Sequence, residues 1–125
     1  LLVAIGIDVV ETGRIEALLK RHKERFTQLV LSEREHALVK SDHALLTFVA
    51  GRWAAKEAIM KALGEGIGVL QMPEIEVLRA SNGAAQVNLN GKASELAQSL
   101  NIRRWQISIS HERTVTVAVA CALSE

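Results

Sequence analysis

At 125 residues the chain has the length of one domain, able to bury roughly two thirds of the surface its unfolded form exposes. Hydrophobic residues make up 49% and aromatics only 3%, so the core must be aliphatic and its elements can pack closely. A net charge of +1 gives no global field for nucleic acid, a single cysteine excludes an internal disulfide, and no apolar run approaches a membrane span. With no basic-then-apolar leader, the expectation is a cytoplasmic protein, and the apolar excess favours a homo-oligomer.

Residues 1–10 (LLVAIGIDVV) form a continuous apolar run with β-branched side chains, the pattern of a buried strand. Gly6 marks a bulge or the close approach of another group. Asp8, in so apolar a run, needs a donor, a cation or a metal, unless it sits at the strand end and accepts from nearby amides. Thr12 can cap a helix running to about Arg25. Ile15, Leu19, His22 and Phe26 form its apolar stripe, which puts His22 on the core side. Arg14, Leu18, Arg21 and Arg25 form a second stripe, an exposed leucine framed by arginines. Residues 14–25 hold five Lys/Arg and two Glu, a local excess of +3. Such a stripe is either a solvated face or a surface for an acidic, amphipathic partner.

Residues 26–31 read as a connector, and Ser32 with Glu35 as a capping box opening a short helix to about Val39. Ser41 and Asp42 offer caps for a long helix over residues 45–63. This segment has no proline, five alanines and only Arg52, Lys56, Glu57 and Lys61 as charges. It lacks a broad solvated face, so it reads as buried on most sides, with its charges paired or facing a ligand. Ala50, Ala54, Glu57 and Lys61 share a narrow face. Glu57 and Lys61 also fit an ordinary helical ion pair. The turn Gly64-Glu65-Gly66-Ile67-Gly68 ends the helix and offers backbone N–H groups of the kind that hold phosphate oxygens.

Beyond Pro73 the period changes. Residues 74–79 and 84–89 read as a hairpin around Ser81-Asn82-Gly83, and residues 92–100 as a helix burying Ala93, Leu96, Ala97 and Leu100. Residues 105–110 and 115–123 are two more strands. The last carries Val115, Val117, Val119, Cys121 and Leu123 on one face and Thr116, Ala118, Ala120 and Ala122 on the other. Both faces are apolar, which predicts a central strand with its small face against a helix and Cys121 packed in the core.

Two carboxylates, Asp8 and Glu57, thus come from different elements that each read as buried. Hard oxygen ligands in small number suit Mg²⁺, with water and phosphate completing its shell. Arg52, Lys56, Lys61 and the glycine turn suit a diphosphate. Chemistry alone points to magnesium-assisted phosphoryl-type transfer from a nucleotide.

At these residues a resemblance enters. GIDVVETGRIE, ERFTQLVLSERE, FVAGRWAAKEAIMKALGEGIG and SISHE resemble the holo-acyl-carrier-protein synthase group of 4′-phosphopantetheinyl transferases, nearly end to end and in order. The most specific pieces are G-x-D with an arginine six residues after the Asp, and R-[FW]-x-x-K-E-x-x-x-K. The resemblance implies an α+β fold, mainly an antiparallel sheet packed around one long central helix, in a single domain over residues 1–125. It implies transfer of phosphopantetheine from coenzyme A to a serine of apo acyl carrier protein, releasing adenosine 3′,5′-bisphosphate. Asp8 and Glu57 match the family's magnesium ligands, and Lys61 the lysine set against the diphosphate. Arg52 and His111 match positions that hold the coenzyme's 3′-phosphate, with Gly64, Gly66 and Ile67 also assigned to coenzyme binding. Arg14, Leu18, Arg21 and Arg25 fall where the first helix meets the carrier protein. The family's small members form trimers with active sites between subunits, so a neighbouring chain could cover the long helix. Trp53 stands where Phe is frequent, and His111 is not universal at its position.

Two alternatives stand beside this one. A different magnesium-dependent enzyme acting on a nucleotide diphosphate would keep Asp8 and Glu57 but not need the arginine stripe. A non-enzymatic adaptor for an acidic helix would need the stripe and neither carboxylate.

Overall fold

A computed structural model describes residues 1–125. Strand β1 (Leu2–Glu11) leads into helix α1 (Thr12–Val30), a short α2 (Glu33–His36) and the long α3 (Asp42–Leu63). A 3₁₀ turn at Met72–Glu74 precedes the hairpin β2 (Ile75–Arg79) and β3 (Ala85–Leu89). Helix α4 (Gly91–Ser99), β4 (Arg104–His111) and β5 (Val115–Leu123) complete the chain. The strands make an antiparallel sheet in the order β1-β5-β4 and a separate antiparallel β2-β3 ribbon. The expected α+β arrangement, an antiparallel sheet around one long helix, is what forms. No helix is long and apolar enough to cross a membrane.

Helix α3 begins where Ser41 accepts a hydrogen bond from the Ala44 amide at 3.2 Å, and ends where Gly64 turns left-handed at φ 84°. Five of its six alanines are buried, all but Ala44 near its start, along with Val49, Ile59, Met60 and Leu63. It packs on β1, β5 and β4, and β5 meets the core with Ala118, Ala120 and Ala122. Small side chains on both surfaces bring helix and sheet close. At Gly6 the approach is closest, because a Cβ there would run into the Ala58 carbonyl oxygen. Gly6 is therefore the contact that lets β1 carry Asp8 up against α3.

Six expectations are corrected. β1 is not buried on both faces: Ala4, Gly6, Asp8 and Val10 turn inward, while Ile5, Ile7 and Val9 are 60%, 55% and 60% exposed. Their neighbours across the register are Cys121, Val119 and Val117, so Cys121 lies on this half-buried outer face and outside the core. Helix α1 continues through the expected connector to Val30, burying Phe26, Thr27 and Val30, but its backbone breaks at His22 (φ −141°, ψ 52°). That break leaves His22 exposed, off the core side, and Leu100 likewise stands exposed just past the end of α4. Finally, α3 is covered by its own chain and needs no neighbour to bury it.

Candidate active site

The inward face of β1 and the last two turns of α3 bring Asp8, Glu57 and Lys61 together. The Lys61 ammonium lies 3.4 Å from Asp8 Oδ1 and donates to the Ile7 carbonyl oxygen at 2.9 Å. Burial raises the Asp8 pKa, against the hydrogen bond and charge of Lys61 and the charge of Arg14. Burial, then the negative charge of Asp8, pushes the Glu57 carboxyl up as well, with Lys61 pulling the other way. Two carboxylates thus share one partly covered corner with one lysine, itself divided between Asp8 and a backbone oxygen. Further positive charge is what this corner lacks.

The donor set fits a divalent ion of the magnesium kind. No group of three or more His, Cys, Asp or Glu side chains is assembled anywhere in the chain. Two carboxylates alone match an ion that takes its remaining ligands from water and substrate phosphate.

Beyond Lys61, the Gly64 and Glu65 amides both close the helix onto the Met60 carbonyl, so they are not free for phosphate. The amides of Gly66, Ile67 and Gly68 have no acceptor within the protein. The phosphate-facing role expected of this turn is therefore narrowed to Gly66 and its followers, and Gly64 serves as the helix cap.

Arg52 and the ring of His111 lie near the middle of the same helix. Arg52 is buried, donates from Nε to the Val77 carbonyl oxygen at 3.0 Å, and sits over the Phe48 ring, 4.1 Å from its centroid. Burial lowers its pKa, with Glu35 opposing and Arg79 adding to the effect. It lines a cleft of about 160 Å³ with Val77, Arg79, Ile107 and Ile109 among its walls. His111 packs its ring against Gly51, where a Cβ would come within 3.1 Å of Cε1, and pairs through Nδ1 with Thr116 Oγ1 at 3.3 Å. The cover from α3, then the charge of Arg52, lowers the His111 pKa. Gly51 precedes Glu57 by six residues, about 9 Å along the helix axis. The chain thus carries two clusters along α3, Asp8, Glu57 and Lys61 near its end and Arg52 with His111 near its middle.

Arg14, Arg21 and Arg25 are exposed on α1, but Leu18 is half-buried and packs against the core instead of standing free. The break at His22 also separates Arg25 from the regular spacing of Arg14, Leu18 and Arg21. Arg14 lies close enough to act on Asp8, so this basic surface adjoins the carboxylates. A cleft of about 470 Å³ lies elsewhere, between α1, α2 and the start of α3. It mixes Lys23 and Lys40 with Glu24, Glu33 and Asp42, a lining with no strong preference of charge.

Lys56 is the residue that sequence reasoning misplaced. Its side chain is fully buried and points away from the carboxylate corner, where Nζ bonds to Glu35 Oε1 and to the Val30 and Met72 carbonyl oxygens. Burial lowers its pKa, and the charge and hydrogen bond of Glu35 oppose that. Glu35 accepts from the Ser32 amide at 2.9 Å and, through Oε2, from the Val77 amide at 2.8 Å. The expected capping box is present, and it announced Glu35 without announcing Lys56 as its partner.

The 4′-phosphopantetheinyl transferase superfamily profile matches residues 4–120. The chain is 35% identical over 125 residues to a holo-[acyl-carrier-protein] synthase of Natranaerobius thermophilus, covering 100% of both chains. It is similar to the acyl carrier protein synthase of Plasmodium yoelii solved with ADP bound, with a TM-score of 0.90 and 30% identity over 100% of this chain and 97% of that one. It is also similar to the Helicobacter pylori holo-[acyl-carrier-protein] synthase in complex with coenzyme A, with a TM-score of 0.82 and 34% identity over 95% and 99% of the two chains. With Asp8, Glu57 and Lys61 gathered at one corner, this chain belongs to the 4′-phosphopantetheinyl transferase superfamily, in its holo-acyl-carrier-protein synthase group.

Proposed function

We propose that this chain, as one catalytic domain, moves the 4′-phosphopantetheine arm of coenzyme A to a serine hydroxyl of an apo acyl carrier protein. The serine oxygen forms a new bond to the phosphorus bearing the pantetheine. The bridging phosphoanhydride bond to that phosphorus breaks, and adenosine 3′,5′-bisphosphate leaves with the electron pair. The single observation that carries this reading is the convergence of Asp8, Glu57 and Lys61, with Arg14 reaching the same corner. The coenzyme A held by the Helicobacter pylori relative supports the donor.

Asp8 and Glu57 are the residues that would hold Mg²⁺, which when bound neutralises charge developing on the leaving phosphate. Lys61 stands beside them to stabilise that charge or to protonate the leaving oxygen. Glu57, directly or through a water that it holds, is the base for the serine proton. Gly66 and Ile67 offer free amides to the phosphates, while Arg52 and His111 take the 3′-phosphate. The bare apolar strip of Ile5, Ile7 and Val9 favours a homo-oligomer, and the family resemblance makes it a trimer. There, Asp8 and Glu57 of one subunit work with Arg52 and His111 of the next. Arg14, Arg21 and Arg25, with Leu18 beneath, receive the acidic helix of the carrier protein.

Chromatography of the nucleotide product tests this reading. Adenosine 3′,5′-bisphosphate should appear only when apo carrier protein, coenzyme A and Mg²⁺ are all present. Its appearance without carrier protein would point to the other enzyme reading, a hydrolase of nucleotide diphosphates.

A further inference from the structure

We infer that the buried Glu35–Lys56 bridge is a positioning device that sets the rotation of α3 and thereby aims Glu57 at Asp8. The inference rests on the transferase reading of the carboxylate corner and deepens it.

Lys56 and Glu57 are consecutive on one helix, so fixing the direction of one fixes the other. Both Lys56 and Glu35 are fully buried. The three protons of the ammonium are matched by three acceptors from three elements: Val30 of α1, Glu35 of α2 and Met72 of the 3₁₀ turn. The acceptor is itself held, because the Glu35 carboxylate takes the Ser32 and Val77 amides. The bridge therefore locks one side of α3 to a rigid frame.

The sheet side of α3 holds it less firmly, since its one polar tie there, from Lys61 to the Ile7 carbonyl oxygen, comes from an exposed side chain. It meets the sheet through alanines, against Ala118, Ala120 and Ala122. Surfaces of methyl groups allow close approach but offer few knobs to oppose rotation about the helix axis. A turn of about 20° moves a carboxylate some 5 Å from the axis by about 2 Å. A misplacement of about 1 Å at a reacting centre can cost about 100-fold in rate. A buried ion pair is also a weak source of stability compared with apolar side chains of equal volume. What it supplies that they do not is direction.

The test compares wild type with the double variant Glu35→Gln/Lys56→Met, which leaves no buried charge. Three quantities are read: thermal stability, kcat and KM for the carrier protein, and the dissociation constant for Mn²⁺ from the electron paramagnetic resonance of the free ion. Glu57→Ala serves as the control that assigns the Mn²⁺ to this corner. The expected result is a folded protein with KM within about twofold, kcat lower by about 10- to 100-fold and Mn²⁺ affinity lower by about 10-fold or more. A folded variant with wild-type kcat and Mn²⁺ affinity overturns the inference, since the bridge would then serve stability alone. Lys56→Gln, which keeps hydrogen-bond donors but shortens their reach, is read in the same way should the double variant fail to fold. A wild type that binds Mn²⁺ at Glu57 but transfers nothing would sink the transferase reading and leave the Mn²⁺ comparison to decide the positioning. A wild type that binds no Mn²⁺ there overturns the inference itself.

Discussion

Lys61 and Asp8 face each other across the junction of α3 and β1, with the ammonium 3.4 Å from Oδ1 and also bonded to the Ile7 carbonyl oxygen. The Asp8 side chain is 14% exposed, but that of Lys61 is 55% exposed, so solvent screens the pair and it adds little to stability. Its value lies in placing a mobile cation beside two carboxylates. Lys61→Met should leave stability within about 0.5 kcal/mol while lowering kcat by about 100-fold or more. Denaturant titration and single-turnover transfer check the two halves separately.

Gly6→Ala should be among the most damaging small substitutions in the chain. The added methyl group meets the Ala58 carbonyl oxygen, so β1 and α3 must part. A loss of about 1–3 kcal/mol follows from such overpacking. Asp8 moves with the strand, so transfer should fall even at temperatures where the variant remains folded. Urea unfolding and an assay at low temperature read both effects.

Two carboxylate environments should pull the pH dependence of stability in opposite directions. At Glu76, burial tends to raise the pKa, but hydrogen bonds from Ser32 and Asn88, with Arg34 and Lys56 nearby, hold it below the ordinary range. The unfolded chain therefore takes up this proton first. Its stabilising contribution is complete above about pH 4.5 and is lost as pH falls through the lower folded value. Asp8 and Glu57 are raised, so without metal they weaken the fold as pH rises above the ordinary carboxylate range. Glu76→Gln should flatten the acid limb of a stability profile, whereas Glu57→Gln should stabilise the metal-free protein at neutral pH. Thermal melts across pH 3–8, a range of about five units around these pKa values, would show the opposite slopes.

The exposed strip on β1 gives a prediction about assembly. Ile7→Lys places a charge in the middle of Ile5, Ile7 and Val9 without touching the inward face that bears Asp8. Sedimentation should then detect monomers, and transfer should fall with the loss of the neighbour's Arg52 and His111. A variant that remains fully assembled and active would place the subunit interface elsewhere.

Much of this architecture was legible in the sequence because local rules decide it. The caps at Ser41 and Gly64, the Ser32–Glu35 box and the alanine face of β5 all follow from residue type and period. Asp8 and Glu57 were legible because carboxylates in apolar runs demand a partner. The failures share another cause. Periodicity reports that both faces of β1 are apolar, but it does not say whether the second face is covered by this chain. Nothing in the pattern marks the backbone break at His22, which stays inside a helix-forming stretch. Lys56 looks like a ligand in the sequence because a buried helix with charges suggests a site. Only the tertiary structure reveals that its partner, Glu35, comes from another element.

On the basic surface of α1, Arg21 should govern carrier-protein recognition alone. Arg21→Glu should raise KM for the carrier protein by about 10-fold or more at low salt, with the difference shrinking as salt screens it. Coenzyme A binding, read by calorimetry, should persist. Its collapse would assign Arg21 to the coenzyme site or to the fold.

The most direct measurement is the intact mass of an apo acyl carrier protein after incubation with this protein, coenzyme A and Mg²⁺, beside parallel reactions with Glu57→Ala and with EDTA. The predicted result is a gain of one phosphopantetheine with wild type and none in either control. An unmodified carrier protein after incubation with folded wild type, repeated across several carrier proteins, would contradict the transferase function.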